Sequence, residues 1–144
     1  MLIDKIKDNE VFLQRENYHR MKTGKILWLD LTVDNAESVK DFYEQVAGWT
    51  ASGMSMGDYE DYVMMSNDEP VAGICHNKGA NKNLPSQWLN YITVEDLDAS
   101  IEKCIALGGR VVDGPRHAQG ASSFVVIQDP GGAYVALMEQ TEEE

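Results

Sequence analysis

The chain uses one strand-turn-helix unit twice. Residues 27–49 read LWLDLTVDNAESVKDFYEQVAGW, and residues 88–109 read WLNYITVEDLDASIEKCIALGG. In each, an apolar run ends at a Thr-Val pair (Thr32-Val33, Thr93-Val94), acidic residues follow, and a helical pattern closes on glycine. A unit that recurs in order marks one module present in two copies. That restricts the chain to architectures with two similar halves.

The first copy shows the local physics. Leu27, Leu29, Leu31 and Val33 point to one side of an extended strand, and Trp28, Asp30 and Thr32 to the other. Asp34-Asn35 turns the chain, and either side chain can cap a helix by accepting from its free N–H groups. Val39, Phe42, Tyr43 and Val46 then fall at i, i+3, i+4 and i+7, one apolar stripe. Gly48 suits a left-handed helix end. The aliphatic side of the strand is expected to meet this stripe, which leaves Trp28, Asp30 and Thr32 facing away from the helix.

Shorter strands are predicted at 49–54, 59–66 and 71–75, with a turn at 67–70. The second copy predicts a strand over 88–94 and a helix whose stripe is Leu97, Ile101, Cys104 and Ile105. Strands at 110–112, 124–128 and 133–138 follow, separated by a loop over 114–121 and the turn Asp129-Pro130-Gly131-Gly132. Each half is therefore βαβββ, and the fold class is α+β. The boundaries read as an N-terminal extension over 1–24, modules at 25–79 and 88–140, a linker over 80–87 and an acidic tail over 141–144. Leu2, Ile3, Ile6, Val11, Phe12 and Leu13 give the extension a patchy helical pattern, suited to packing on the domain or on a second subunit.

Charge narrows the partners. A formal net charge of −12 argues against nucleic acid and against an anionic membrane surface, both of which call for clustered Lys and Arg. There is no apolar run long enough to span a bilayer and no signal-peptide pattern in MLIDKIKDNE. The two cysteines, Cys75 and Cys104, fall in different modules and suit a reducing compartment, so the cytoplasm is expected.

Four motifs carry a family resemblance: TVDNAESVKDFYEQVAGW, TVEDLDASIEKCIALGG, GGRVVDGP and the closing DPGGAYVAL. Over residues 25–140 the chain resembles the vicinal oxygen chelate superfamily, which includes glyoxalase I, bleomycin-resistance proteins and extradiol dioxygenases. The resemblance implies two curved sheets that enclose a central cavity on the side away from the helices. It also implies a small-molecule ligand, with lyase, isomerase or dioxygenase chemistry in the relatives that are enzymes. In metal-dependent relatives four residues hold a divalent ion, two from the first strands of the modules and two from the last. Carried over by motif, these positions fall on Trp28, Leu89, Ala136 and, within one residue, Gly73. None offers a side-chain ligand, so no metal and no other cofactor is expected.

The remaining candidates follow from strand alternation. Asp30 sits mid-strand between leucines. It reads either as a general base, since burial favours the protonated carboxyl, or as a structural carboxylate satisfied by neighbouring donors. Trp28, Thr32, Met64, Leu89, Tyr91, Thr93, Phe124, Tyr134 and Ala136 offer an apolar and aromatic lining with a few polar groups. Such a wall suits a flat, partly apolar molecule, or simply fills the cup. Arg116 and His117, in the loop after Gly114-Pro115, can meet a ligand carboxylate. Cys75, His76 and His117 show no metal-ligand spacing. The expected protein binds a small molecule and no metal, with a divergent enzyme using Asp30, or an oligomeric or regulatory partner, as alternatives. A homodimer is compatible with all three.

Overall fold

The structure is a computed structural model that describes residues 23–117 and 122–140. The extension expected over 1–24 therefore lies outside the described residues except for the turn at 23–24, as does the acidic tail. Contacts divide the chain into two compact units that change over at Leu27/Trp28 and at Trp88/Leu89.

The first module runs β1 (Ile26–Val33), α1 (Ala36–Ala47), β2 (Thr50–Ser55), β3 (Glu60–Ser66) and β4 (Glu69–His76). Its strand order is β2-β3-β4-β1. β1 and β4 run parallel, with Asp30 beside Gly73 and Leu31 beside Ile74. β3 pairs antiparallel with both β2 and β4. A short 3-10 turn, Gly79–Asn81, leads onward. The second module repeats the order as β5 (Trp88–Thr93), α2 (Leu97–Ala106), β6 (Arg110–Arg116), β7 (Ser123–Gln128) and β8 (Tyr134–Glu139). Its strands are ordered β5-β8-β7-β6, with β5 and β8 parallel and Tyr91 beside Ala136. The fold is α+β, two βαβββ modules.

In each module the helix covers one face of the sheet. Leu31, Ala36, Met64 and Ile74 form the buried cluster of the first, with Val33, Val39, Tyr43 and Trp49 against it. Tyr43, Trp49 and Trp88 pack ring against ring at 5.3–6.0 Å, and the Trp88 indole donates to the Tyr43 hydroxyl at 3.1 Å. Leu97, Val125 and Ile127 anchor the second cluster, with Ile101, Cys104, Val111 and Leu137. Burial of such side chains stabilises each module by about 1.5–3 kcal/mol per large residue.

Several local expectations are corrected. The α1 stripe is narrower than its spacing suggests. Ala36, Val39 and Tyr43 face the sheet, whereas Phe42 and Val46 are 54% and 66% exposed. Ile105 of α2 is likewise 59% exposed. One helix against one sheet buries an arc set by its rotation, and a four-residue stripe overruns that arc. The Asn35 side chain makes no cap, while Asp96 accepts from the Ala99 N–H at 3.0 Å. Gly48 does close α1 in the left-handed region, at φ 73°. The β3–β4 turn is only Asn67-Asp68, both at positive φ, so Glu69 and Pro70 already belong to β4. Two such residues match the strand twist of a hairpin. β6 continues through Gly114-Pro115 to Arg116, with register shifts that accommodate the proline. Arg116 is thus a strand residue opposite Phe124 rather than a loop residue.

Candidate functional site

The sheet face turned away from each helix holds most of the sequence-predicted residues. In β1 this face is the more buried one: Trp28, Asp30 and Thr32 are each at most 4% exposed, whereas Leu27 and Leu29 are half-buried. The register carries it across the sheet, since Asp30 lies beside Gly73 and Gly73 opposite Val63. Thr32 lies beside Cys75. Met64 is on the other side. It belongs to the helix-packed cluster with Leu31 and Ile74, because it stands one residue from Val63 and side chains alternate along a strand.

Three acidic or thiol groups meet on this part of the first module. The Trp28 indole N–H donates to Asp30 Oδ1 at 2.5 Å. Asp61, fully buried, accepts the backbone N–H of His76 through Oδ1 at 2.8 Å. Burial raises the Asp61 pKa above the ordinary carboxyl value, and the neighbouring His76 backbone and ring oppose that shift. Cys75 is 3% exposed. Its thiol is pushed well up by burial first and then by the Asp30 and Asp61 carboxylates, so it stays protonated and unreactive. Asp61 was legible only as the partner of Val63 in period 2 within YEDYVMMS, where the strand reading drew attention to the apolar residues instead.

On the second module, Leu89, Tyr91 and Thr93 of β5 share a face with Tyr134, Ala136 and Met138 of β8, and with Phe124 and Val126 of β7. Tyr91 and Phe124 pack at 6.0 Å. Arg116 lies 5.1 Å above the Phe124 ring and is paired with Asp113 at 2.5 Å. His117 Nδ1 lies 3.1 Å from the Ser123 hydroxyl. Thr93 ties down the backbone that leads into β1. Its hydroxyl accepts the Lys25 N–H at 3.1 Å, and its own N–H and C=O bond Lys25 and Gly24. Val126 and Met138 share this face and were not singled out from the sequence.

The register also relates the two modules. Asp30 and Tyr91 occupy equivalent places, three residues before Val33 and Val94, and their partners are Gly73 and Ala136. The neighbours of Gly73, Ala72 and Ile74, are on the opposite, helix-side parity. Trp28, Gly73, Leu89 and Ala136 supply no lone pair suited to a divalent ion, so these residues do not fit one. Among the described residues no group of three or more His, Cys, Asp or Glu could hold a metal. Among the same residues no helix is long and apolar enough to cross a membrane.

Comparison with known proteins agrees with the topology. The Mycobacterium bovis protein CFP32, provisionally named a glyoxylase, is 30% identical over 117 residues, covering 81% of this chain and 44% of that protein. DnrV of Streptomyces peucetius, named an anthracycline biosynthesis protein, is 27% identical over 131 residues, covering 82% and 48%. The chain thus spans less than half the length of these curated relatives. Among solved structures, the hypothetical protein BH1468 of Bacillus halodurans shares the fold with TM-score 0.56 and 13% identity, over 85% of this chain and 99% of that one. A Streptomyces coelicolor methylmalonyl-CoA epimerase in complex with 2-nitronate-propionyl-CoA does so with TM-score 0.51 and 15% identity, over the same shares. Residues 25–137 match the Glyoxalase/Bleomycin resistance protein/Dioxygenase superfamily, and the chain belongs to it.

Proposed function

We propose that this chain binds a small, flat, largely apolar molecule against its helix-free sheet faces, and that it does so without the divalent metal of its metal-dependent relatives. One observation carries this reading. Carried over by motif, the four family ligand positions fall on Trp28, Leu89, Ala136 and, within one residue, Gly73, and the first of them commits its only side-chain polar atom to Asp30. A glycine and an alanine at the last-strand positions carry no carboxylate, and Tyr91 and Phe124 supply aromatic surface on the second module. Tyr91 and Phe124 suit a planar ligand, since ring faces pair in offset or edge-on arrangements. The name of DnrV supports the same ligand class, because anthracyclines are flat polycyclic aromatics.

The test uses chelator-treated protein and a hydroxyanthraquinone probe. Saturable quenching of tryptophan fluorescence, with no stoichiometric metal by mass spectrometry, is the expected result. Binding that appears only after adding Ni, Zn, Fe or Mn, or a tightly held stoichiometric metal, would overturn it.

A second reading, an enzyme of lyase, isomerase or dioxygenase type with Asp30 as base, draws on the burial of that carboxylate. Turnover of a hemithioacetal or catechol that vanishes in a folded Asp30→Asn variant would replace the first reading with this one.

A further inference from the structure

Asp113 and Arg116 are an odd number of residues apart on β6, and regular alternation would turn them to opposite faces of the sheet. The structure turns them to the same one. Asp113 lies opposite Val126 and Arg116 opposite Phe124, and the register shifts between the two pairs. Val126 and Phe124 both belong to the helix-free face of the second module, since Val125 and Ile127 alternate with them and pack on the α2 side. The shift falls at Gly114-Pro115. Gly114 has φ 94°, and a Cβ there would stand 3.1 Å from the Arg116 amide nitrogen and 3.2 Å from the Phe124 carbonyl oxygen. Glycine alone takes that conformation without strain. An irregularity of this kind re-aims side chains, and here it brings the Arg116 guanidinium onto the Asp113 carboxylate.

The pair closes one end of an aromatic run. The guanidinium carbon lies 5.1 Å from the centre of the Phe124 ring, and Phe124 lies 6.0 Å from Tyr91. The Arg116 and Asp113 side chains are only 24% and 15% exposed. Charges so far removed from water gain little over apolar side chains of the same size, so stability alone is a weak reason for the pair. A planar cation at the end of an apolar wall is, by contrast, what fixes the orientation of a ligand with one anionic end. His117 takes no part, because its ring meets Ser123, which alternates with Phe124 and so faces the other way. Arg110 is exposed and bonded to Gln128. β6 is the outer strand of its module, so Asp113 has solvent beside it to turn into.

We propose, building on the small-molecule reading above, that the flat ligand carries a carboxylate and that Arg116 is the specificity-determining residue that receives it in exchange for Asp113. Before binding, Asp113 holds the guanidinium against Phe124. The fork of Arg116 matches a second carboxylate as well as the first, and the aromatic body of the ligand lies along Phe124 and Tyr91. A neutral molecule of the same shape leaves the ion pair as it is and gains nothing from the exchange.

Equilibrium dialysis of the full chain near neutral pH tests this, with an anthraquinone carboxylate and its uncharged hydroxymethyl analogue as probes. The native protein should bind the acid about tenfold more tightly than the alcohol, the worth of one charge-assisted hydrogen bond. Arg116→Gln should bring that ratio to about one. Asp113→Asn removes the competing carboxylate and should raise the ratio about threefold or more, an effect that a purely structural ion pair would not produce. Should Arg116→Gln not fold, the double variant Asp113→Asn/Arg116→Gln replaces the ion pair by a neutral pair and should also bind both probes equally. Equal binding of the two probes by the native protein, or a preference for the acid that survives loss of Arg116, overturns the inference and leaves the apolar site standing. A ratio that falls in Asp113→Asn overturns the exchange. Binding of neither probe overturns the small-molecule reading, and this inference with it.

Discussion

Trp28 and Asp30 stand two residues apart on one strand, and the indole of the first donates to the carboxylate of the second at 2.5 Å. Both side chains lie on the sheet face turned away from α1, and the indole holds the neighbouring carboxylate in place. Trp28→Phe keeps most of the apolar volume and removes the donor. It should cost about 1–3 kcal/mol of unfolding free energy, because a buried carboxylate loses a hydrogen bond. Urea unfolding of the two proteins side by side reads this directly, and a change below about 0.5 kcal/mol would mean the bond contributes little.

Asp61 makes stability depend on pH with a defined sign. Its folded pKa lies above the ordinary 3.8, so just above pH 3.8 the folded protein holds a proton that the unfolded chain has released. Its contribution to stability therefore declines as pH rises through that window. Asp61→Asn retains an oxygen for the His76 N–H and removes the titration. Unfolding free energies measured from pH 4 to 7 should shift progressively in the variant's favour. A shift in the native protein's favour would show that the His76 charge outweighs the burial of Asp61.

The two cysteines should differ in reactivity. Cys75 is 3% exposed, and burial with the Asp30 and Asp61 charges suppresses its thiolate, whereas Cys104 is partly accessible. An aromatic disulfide reagent at pH 8 should label Cys104 in the native state and Cys75 only after unfolding. In a Cys104→Ser variant, release of the chromophore before denaturant is added would contradict this placement.

Helix starts that look alike in sequence should respond differently to mutation. Asp96 caps α2 through the Ala99 N–H, whereas the Asn35 side chain bonds nothing at the start of α1. Asp96→Ala should cost about 1 kcal/mol and Asn35→Ala well under half of that. Thermal unfolding of both variants distinguishes them, and equal losses would place a cap at Asn35 in solution.

How much of this was legible beforehand differs from residue to residue. The repeat, the alternation through Leu31 and Val33, Gly48 and the Asp129-Pro130-Gly131-Gly132 turn are local signals, and each stands in the structure where period and turn chemistry put it. The helix-free face of β1 was legible for the same reason: in a strand, naming one face names the other. Met64 was misplaced because two adjacent methionines in β3 offer both parities, and only pairing with Ala72 and Ala51 chooses between them.

The sequence by itself determined the two βαβββ modules, since period, turn chemistry and the order of the repeat depend only on residue type and spacing along the chain. Tertiary structure alone decided what lies across the strands. It brought Asp61 to His76, and it put Arg116 over Phe124 while leaving Phe42 and Val46 in solvent. Register and helix rotation set those contacts through the packing of whole surfaces, and no window of neighbouring residues encodes them.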